Sequence, residues 1–138
     1  MIPKFRAWHK ESQTMYDVKS IVYTLGSMLC VNSSALFPER TLYFEDTPVM
    51  QSTGLFSTFS EDELFEDDVI FWTYFDEFED TGKARIIHRD GCWKLLDIKT
   101  GKEVWDSLFD CLENCTVFLS GNIYENPELM EVSDGCKN

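Results

Sequence analysis

The run Asp68-Val69-Ile70-Phe71-Trp72-Thr73-Tyr74-Phe75 constrains this chain more than any other segment. Its β-branched and aromatic side chains suit a pleated surface and lose rotamer freedom in a helix, so the run predicts a strand. A strand needs neighbours, and the rest of the sequence supplies them. Ala84–His88 and Cys92–Asp97 flank Arg89-Asp90-Gly91, and Asp-Gly between two apolar runs is a hairpin signal. Phe5–Trp8 alternates apolar and polar residues, Met15–Tyr23 reads as a second strand with a break, and Ser27–Val31, Thr41–Phe44 and Thr116–Leu119 read as short strands. One helix is predicted from about Glu103 to Asn114, where Val104, Leu108, Leu112 and Cys115 recur at near-helical spacing. Pro127–Met130 suggests a helical turn with proline first. The expected class is mainly β (α+β), as a small bent sheet or SH3-like barrel with one principal helix. The 138 residues show no repeat and no Pro/Gly/Ser linker, which predicts a single domain over 1–138.

No stretch approaches the roughly 20 apolar residues that cross a bilayer, and the first residues lack the apolar centre of a signal peptide. The five cysteines (Cys30, Cys92, Cys111, Cys115, Cys136) are odd in number and do not suggest a disulfide framework. These features point to the cytoplasm. The net charge of −13 argues against direct contact with nucleic acid or an anionic membrane, whose phosphates would repel it, and is compatible with a basic protein partner.

The charge is segregated. From Glu45 to Asp80 there are twelve carboxylates and no Lys or Arg, whereas Lys83–Lys102 carries six basic residues against Asp90 and Asp97. Ten of the acids fall within Glu61–Asp80: Glu61, Asp62, Glu63, Glu66, Asp67, Asp68, Asp76, Glu77, Glu79 and Asp80. The plain account of such a run is a solvated face. The sharper account is mimicry of a nucleic-acid backbone. An extended chain advances about 3.3 Å per residue, close to the roughly 3.4 Å between phosphates along one DNA strand. Aromatic residues interleave with these acids, and Phe56 and Phe59 are the expected exposed anchors of an interface.

Catalytic signals are weak. His88-Arg89-Asp90 matches three letters of a kinase catalytic loop, but Leu95 stands where its metal-binding Asn belongs, and no Gly-rich loop is present. Cys111 and Cys115 lack the further ligands of a zinc site and are expected in the core. His9 and His88 lie in no nucleophile motif. Asp76–Asp80 lacks the spacing and the glycine of a calcium loop. We therefore expect no enzyme, no catalytic residue, no metal site and no cofactor.

Three blocks carry a family resemblance. They are Lys4-Phe5-Arg6-Ala7-Trp8 with Met15-Tyr16; Val49–Leu55 continuing to Phe65–Ile70; and Gly121-Asn122-Ile123-Tyr124-Glu125-Asn126-Pro127-Glu128-Leu129. In these blocks the chain resembles the YopX family of phage and prophage proteins. The resemblance implies a phage or prophage origin, a β-rich fold with a small barrel near the central block, and no established catalytic activity. Two departures stand out: the loop Phe56–Glu63 is aromatic and acidic, and Asp67 occupies a position where the family commonly has glycine.

The expected function is that of a phage-encoded, non-enzymatic inhibitor. It would place the acidic stretch, as a DNA mimic, in the DNA-binding groove of a host defence nuclease such as a CRISPR effector. The alternative is an oligomeric accessory or structural phage protein without a nuclease partner, its apolar residues sealing a homo-oligomer.

Overall fold

In the computed structural model the described residues are 3–58, 60–74 and 77–131, and for 77–81 the description is of the backbone alone. The chain packs as two compact units, residues 1–52 and 53–138. The boundary carries no linker composition because it falls inside a strand, β5 (Val49–Phe56).

The first unit is an antiparallel sheet built from β1 (Phe5–His9), β2 (Thr14–Val22), β3 (Ser27–Val31), β4 (Glu39–Tyr43) and the start of β5, in the order β4-β3-β2-β1-β5. Alternation decides the buried face. Met28 and Cys30 of β3 point inward while Leu29 between them is exposed, and Leu42 of β4 and Tyr16 of β2 join them in the core with Ala7. The break anticipated in β2 is a β-bulge. Val18 pairs with Cys30 but Ser20 with Leu29, so Lys19 is the extra residue. A one-residue insertion flips the side-chain parity, which is why Val18 and Ile21, three apart, both pack on the same cluster.

The second unit begins with the end of β5, beside which lies β6 (Glu63–Phe65). Its main sheet runs in the order β10-β9-β8-β7-β11, from β7 (Asp68–Tyr74), β8 (Glu77–Arg89), β9 (Cys92–Asp97), β10 (Glu103–Val104) and β11 (Cys115–Asn122). The β8–β9 turn is the predicted hairpin: Arg89 pairs with Cys92, and Asp90 and Gly91 have φ of 55° and 76°, the left-handed pair that a two-residue turn demands. Leu64, Ile70, Trp72, Ile86, Leu95, Leu108 and Val117 form the core of this unit. Gly82 pairs with Trp72 across β7 and β8, and a Cβ there would overlap the indole, so the strand must carry glycine at that point. The mainly β class with one helix is what the structure has, as two antiparallel sheets.

The helix is shorter than its sequence period suggests. Glu103 and Val104 pair with Leu96 and Leu95 as a strand, Trp105 turns the chain at φ 63°, and α1 covers only Leu108–Asn114. Ser107 sets its start, the hydroxyl accepting from the Asp110 N–H at 3.1 Å. Val104 still packs on the core cluster and Cys115 is fully buried, but each does so from a strand. Pro127–Met130 forms a 3-10 turn with proline at its start, as expected.

Candidate partner-binding surface

The ten acids of Glu61–Asp80 meet different fates. Glu61 and Asp62 sit exposed on the loop that joins β5 to β6. That loop is held at both ends. Ser57, 3% exposed, donates its N–H to the Asp62 carbonyl at 2.9 Å and accepts the Asp62 N–H on its hydroxyl at 3.0 Å. Thr58 donates its N–H to the Val117 carbonyl at 2.9 Å and accepts the Val117 N–H on its hydroxyl at 2.8 Å, pinning the loop to the edge of β11. The pinned loop turns outward at Glu61, where φ is 53°. Phe56, at its base, is 52% exposed. Phe59 lies outside the described residues.

Glu63 and Glu66 are half-buried, and both are engaged in further contacts. Asp67 and Asp68 correct the expectation outright, because neither presents its charge to a partner. Asp68 is 1% exposed and its carboxylate accepts the Phe65 N–H at 2.7 Å, closing the β6–β7 turn. Asp67 is 8% exposed and one carboxylate oxygen takes both Arg85 Nη2 at 2.9 Å and Nε at 3.1 Å. The Tyr124 hydroxyl donates to the other oxygen at 3.4 Å, and burial followed by the Asp67 charge pushes the Tyr124 phenol up from its ordinary range. Asp67 also has φ of 71°, a left-handed conformation, which gives the family's glycine at this position its physical reason. The aspartate tolerates that backbone while its carboxylate ties the β6–β7 turn to β8 and to the Gly121–Met130 segment. Asp76 lies outside the described residues, and Glu77, Glu79 and Asp80 are placed on β8 by their backbone.

The basic segment is partly consumed internally. Arg85 pairs with Asp67, Arg89 with Glu103 at 2.7 Å, and Lys94 Nζ donates to the Asp106 carbonyl at 2.8 Å. Lys83, Lys99 and Lys102 are exposed.

Residues weighed for catalysis fall elsewhere. Cys111 and Cys115 are in the core, where burial first and their mutual proximity second hold the Cys111 thiol far above its ordinary value; burial also raises Cys115. Cys30 is pushed up to about 11 by burial alone. A thiol so shifted stays protonated, the opposite of what a nucleophile requires. The exposed His88 ring lies against Trp93, centroids 4.7 Å apart, at the end of the β8–β9 hairpin. Among the described residues no cluster of three or more His, Cys, Asp or Glu could hold a metal, and no helix is long and apolar enough to cross a membrane.

The sequence reading missed a second cluster, around Arg40 in the first unit, where Tyr16, Phe37 and His9 surround a guanidinium. One sequence signal marks it: Arg40 is the sole basic residue between Lys19 and Lys83.

The match to the profile of the YopX family, described as YopX protein, spans residues 4–131. No curated protein is significantly similar to the chain. Among solved structures, protein EF1440 from Enterococcus faecalis is similar at 25% identity, over 95% of this chain and 99% of that one, with a TM-score of 0.63. The yopX protein from Bacillus subtilis shares the fold at 16% identity, over 93% and 98% of the two chains, with a TM-score of 0.55. The family match runs through both units and includes the Asp67 turn and the Gly121–Leu129 segment that Asp67 holds, and on that breadth the chain belongs to the YopX family.

Proposed function

We propose that this chain is a non-enzymatic, phage-encoded binding protein whose acidic unit occupies the DNA-binding groove of a host defence nuclease, such as a CRISPR effector. The location of the charge supports this reading. Residues 1–52 hold five basic and five acidic residues, whereas residues 53–138 hold seven basic and twenty acidic ones, so the whole net charge of −13 belongs to the second unit. A field concentrated in this way steers a basic groove more strongly than the same charge spread evenly. With Asp67 and Asp68 withdrawn into the fold, the described carboxylates that would meet the groove are Glu61, Asp62, Glu63 and Glu66, with Phe56 as the apolar anchor; Asp76, Glu77, Glu79 and Asp80 are assigned to it from the sequence.

The test measures DNA binding and cleavage by purified defence nucleases with and without this protein, at low and high salt. Inhibition that weakens as salt rises is expected. A variant with Glu61→Gln, Asp62→Asn, Glu77→Gln and Glu79→Gln should lose inhibition and stay folded. Unchanged inhibition by that variant would sink the mimic reading.

A second reading, an oligomeric accessory phage protein, draws on a different observation. Tyr23 is 80%, Leu25 72%, Tyr43 50% and Val22 43% exposed. Val22 and Tyr43 pair across β3 to the same residue, Ser27, and Leu25, Tyr43 and Phe44 line one hollow. An apolar patch of this kind on a neutral unit is a surface for self-association. Light scattering separates the readings: a stable multimer that Tyr43→Lys dissolves favours the second, and a monomer at tens of micromolar leaves the patch without that role.

A further inference from the structure

The cluster at Arg40 is a built, charged hollow in the neutral unit, and neither reading above uses it. Its floor is Tyr16, 1% exposed. Arg40 Nε donates to the Tyr16 hydroxyl at 2.9 Å, that hydroxyl donates to the Phe37 carbonyl at 3.0 Å, and the guanidinium carbon stands 5.0 Å over the Phe37 ring. The guanidinium is therefore fixed by one nitrogen and one stacking face. Its two terminal nitrogens have no partner among the described residues. His9 lines the same hollow and packs edge-on to Tyr16 at 6.3 Å. Its Nδ1 is engaged by Ser12, through the hydroxyl at 2.5 Å and the N–H at 3.3 Å, and its Nε2 has no partner among the described residues.

The wall beside the guanidinium is apolar: Leu36 is 89% and Phe37 56% exposed. The loop that carries them is held at its base. Asn32 donates its N–H to the Pro38 carbonyl at 2.8 Å and its side-chain amide to the Met15 carbonyl at 2.8 Å. The hollow between the β1–β2 turn and this loop measures about 410 Å³, within the range of small-ligand sites.

We propose that this hollow binds the carboxyl-terminal carboxylate of a protein partner whose last residue is apolar. A planar guanidinium fork with its inner nitrogen already committed matches a carboxylate. Glu11 lines the same hollow and opposes a second negative charge, which disfavours phosphate. The 5.0 Å from the guanidinium to the Phe37 ring lets a single residue make both the anionic and the apolar contact. A terminal apolar residue carries both on a single Cα, and an aspartate or glutamate side chain does not.

The test titrates the full chain, by calorimetry, with acetylated hexapeptides that end in Leu or Phe as the free acid. The same peptides as carboxamides, and an amidated peptide with one internal aspartate, serve as comparisons. Binding of a free acid at about 10–500 μM is expected, with the amide and the internal-aspartate peptide weaker by about tenfold or more. Arg40→Gln should lose about tenfold. Because Arg40 also holds Tyr16, Leu36→Ser provides a variant with no role in folding, and it should weaken binding about threefold or more. Equal binding of acid and amide, equal binding of the internal-aspartate peptide, unchanged binding by Leu36→Ser, or no binding at about 2 mM peptide each overturns the proposal.

Discussion

Replacing Asp67 separates two energies that the wild-type residue combines. Its backbone is left-handed at φ 71°, which costs an L-residue with a Cβ about 1 kcal/mol or more. Its carboxylate accepts two N–H groups of Arg85, with side-chain exposures of 12% for the aspartate and 33% for the arginine. Hydrogen bonds to charged groups contribute about 1.5–3 kcal/mol, and partial exposure of Arg85 places this pair near the lower end. Asp67→Gly removes the pair and relieves the backbone, so the two changes largely offset and the expected loss is about 1 kcal/mol. Asp67→Ala removes the pair and keeps the strain without aspartate's tolerance for this region, so the loss should be about 3 kcal/mol. Urea unfolding followed by tryptophan fluorescence reads both, since Trp72, Trp93 and Trp105 all lie in the same unit. At about 1 kcal/mol per molar urea, the glycine variant should unfold about 1 M earlier and the alanine variant about 3 M earlier. An alanine variant as stable as the glycine variant would refute the backbone argument. A glycine variant more stable than the parent by about 1 kcal/mol would show that the ion pair contributes nothing.

Gly82→Ala should displace the Trp72 indole from the core and destabilise the second unit by about 1–3 kcal/mol, visible as a changed tryptophan emission and a lower urea midpoint. Ser107→Ala removes the cap of α1 and should cost about 1 kcal/mol in the same assay, with Ser107→Asp restoring most of it. Stability should decline in alkali. The thiols of Cys30, Cys111 and Cys115 and the Tyr124 phenol are all raised in the folded state, so their contribution is complete below the unfolded values of about 8.5 and 10 and is lost as pH rises through the folded values. A thermal midpoint that stays flat from pH 8 to about 11 would contradict this assignment.

Much of the fold was legible because local pattern and burial agree. Ser27–Val31 is a short apolar run that forms a strand with Met28 and Cys30 turned inward, and Asp90-Gly91 adopts the backbone its residue types permit. The misses have specific causes. β5 runs through Gln51-Ser52-Thr53-Gly54, which has neither alternation nor β-branched density, and its pairing with β1 is set by long-range contacts. The helix prediction overran because Val104 satisfies helical spacing while packing from a strand on the same cluster. Asp67 and Asp68 read as surface acids since carboxylates usually are. Only the left-handed turn and the Phe65 N–H show that the fold uses them internally. The Arg40 cluster joins residues from β1, β2 and β4 that are up to 31 positions apart, so spacing alone does not announce it.

The position of the unit boundary within β5 governs how this protein can be taken apart. In a chain whose halves meet at a flexible connector, each half can be expressed alone and assigned its share of the activity. Here a stop after Ser52 would cut β5 after its first four residues: the pairs that Val49, Met50 and Gln51 make with β1 would survive, but the rest of the strand, beside which β6 lies, would be gone, and a second fragment would begin in mid-strand with a frayed end prone to pair with other chains. Deletion fragments would therefore report on a damaged sheet and not on either unit's role. The informative dissection is one of intact chains altered at the surface, with Glu61 and Asp62 changed in one and Leu36 or Tyr43 in another, so that each half is silenced while the strand that runs through both remains whole.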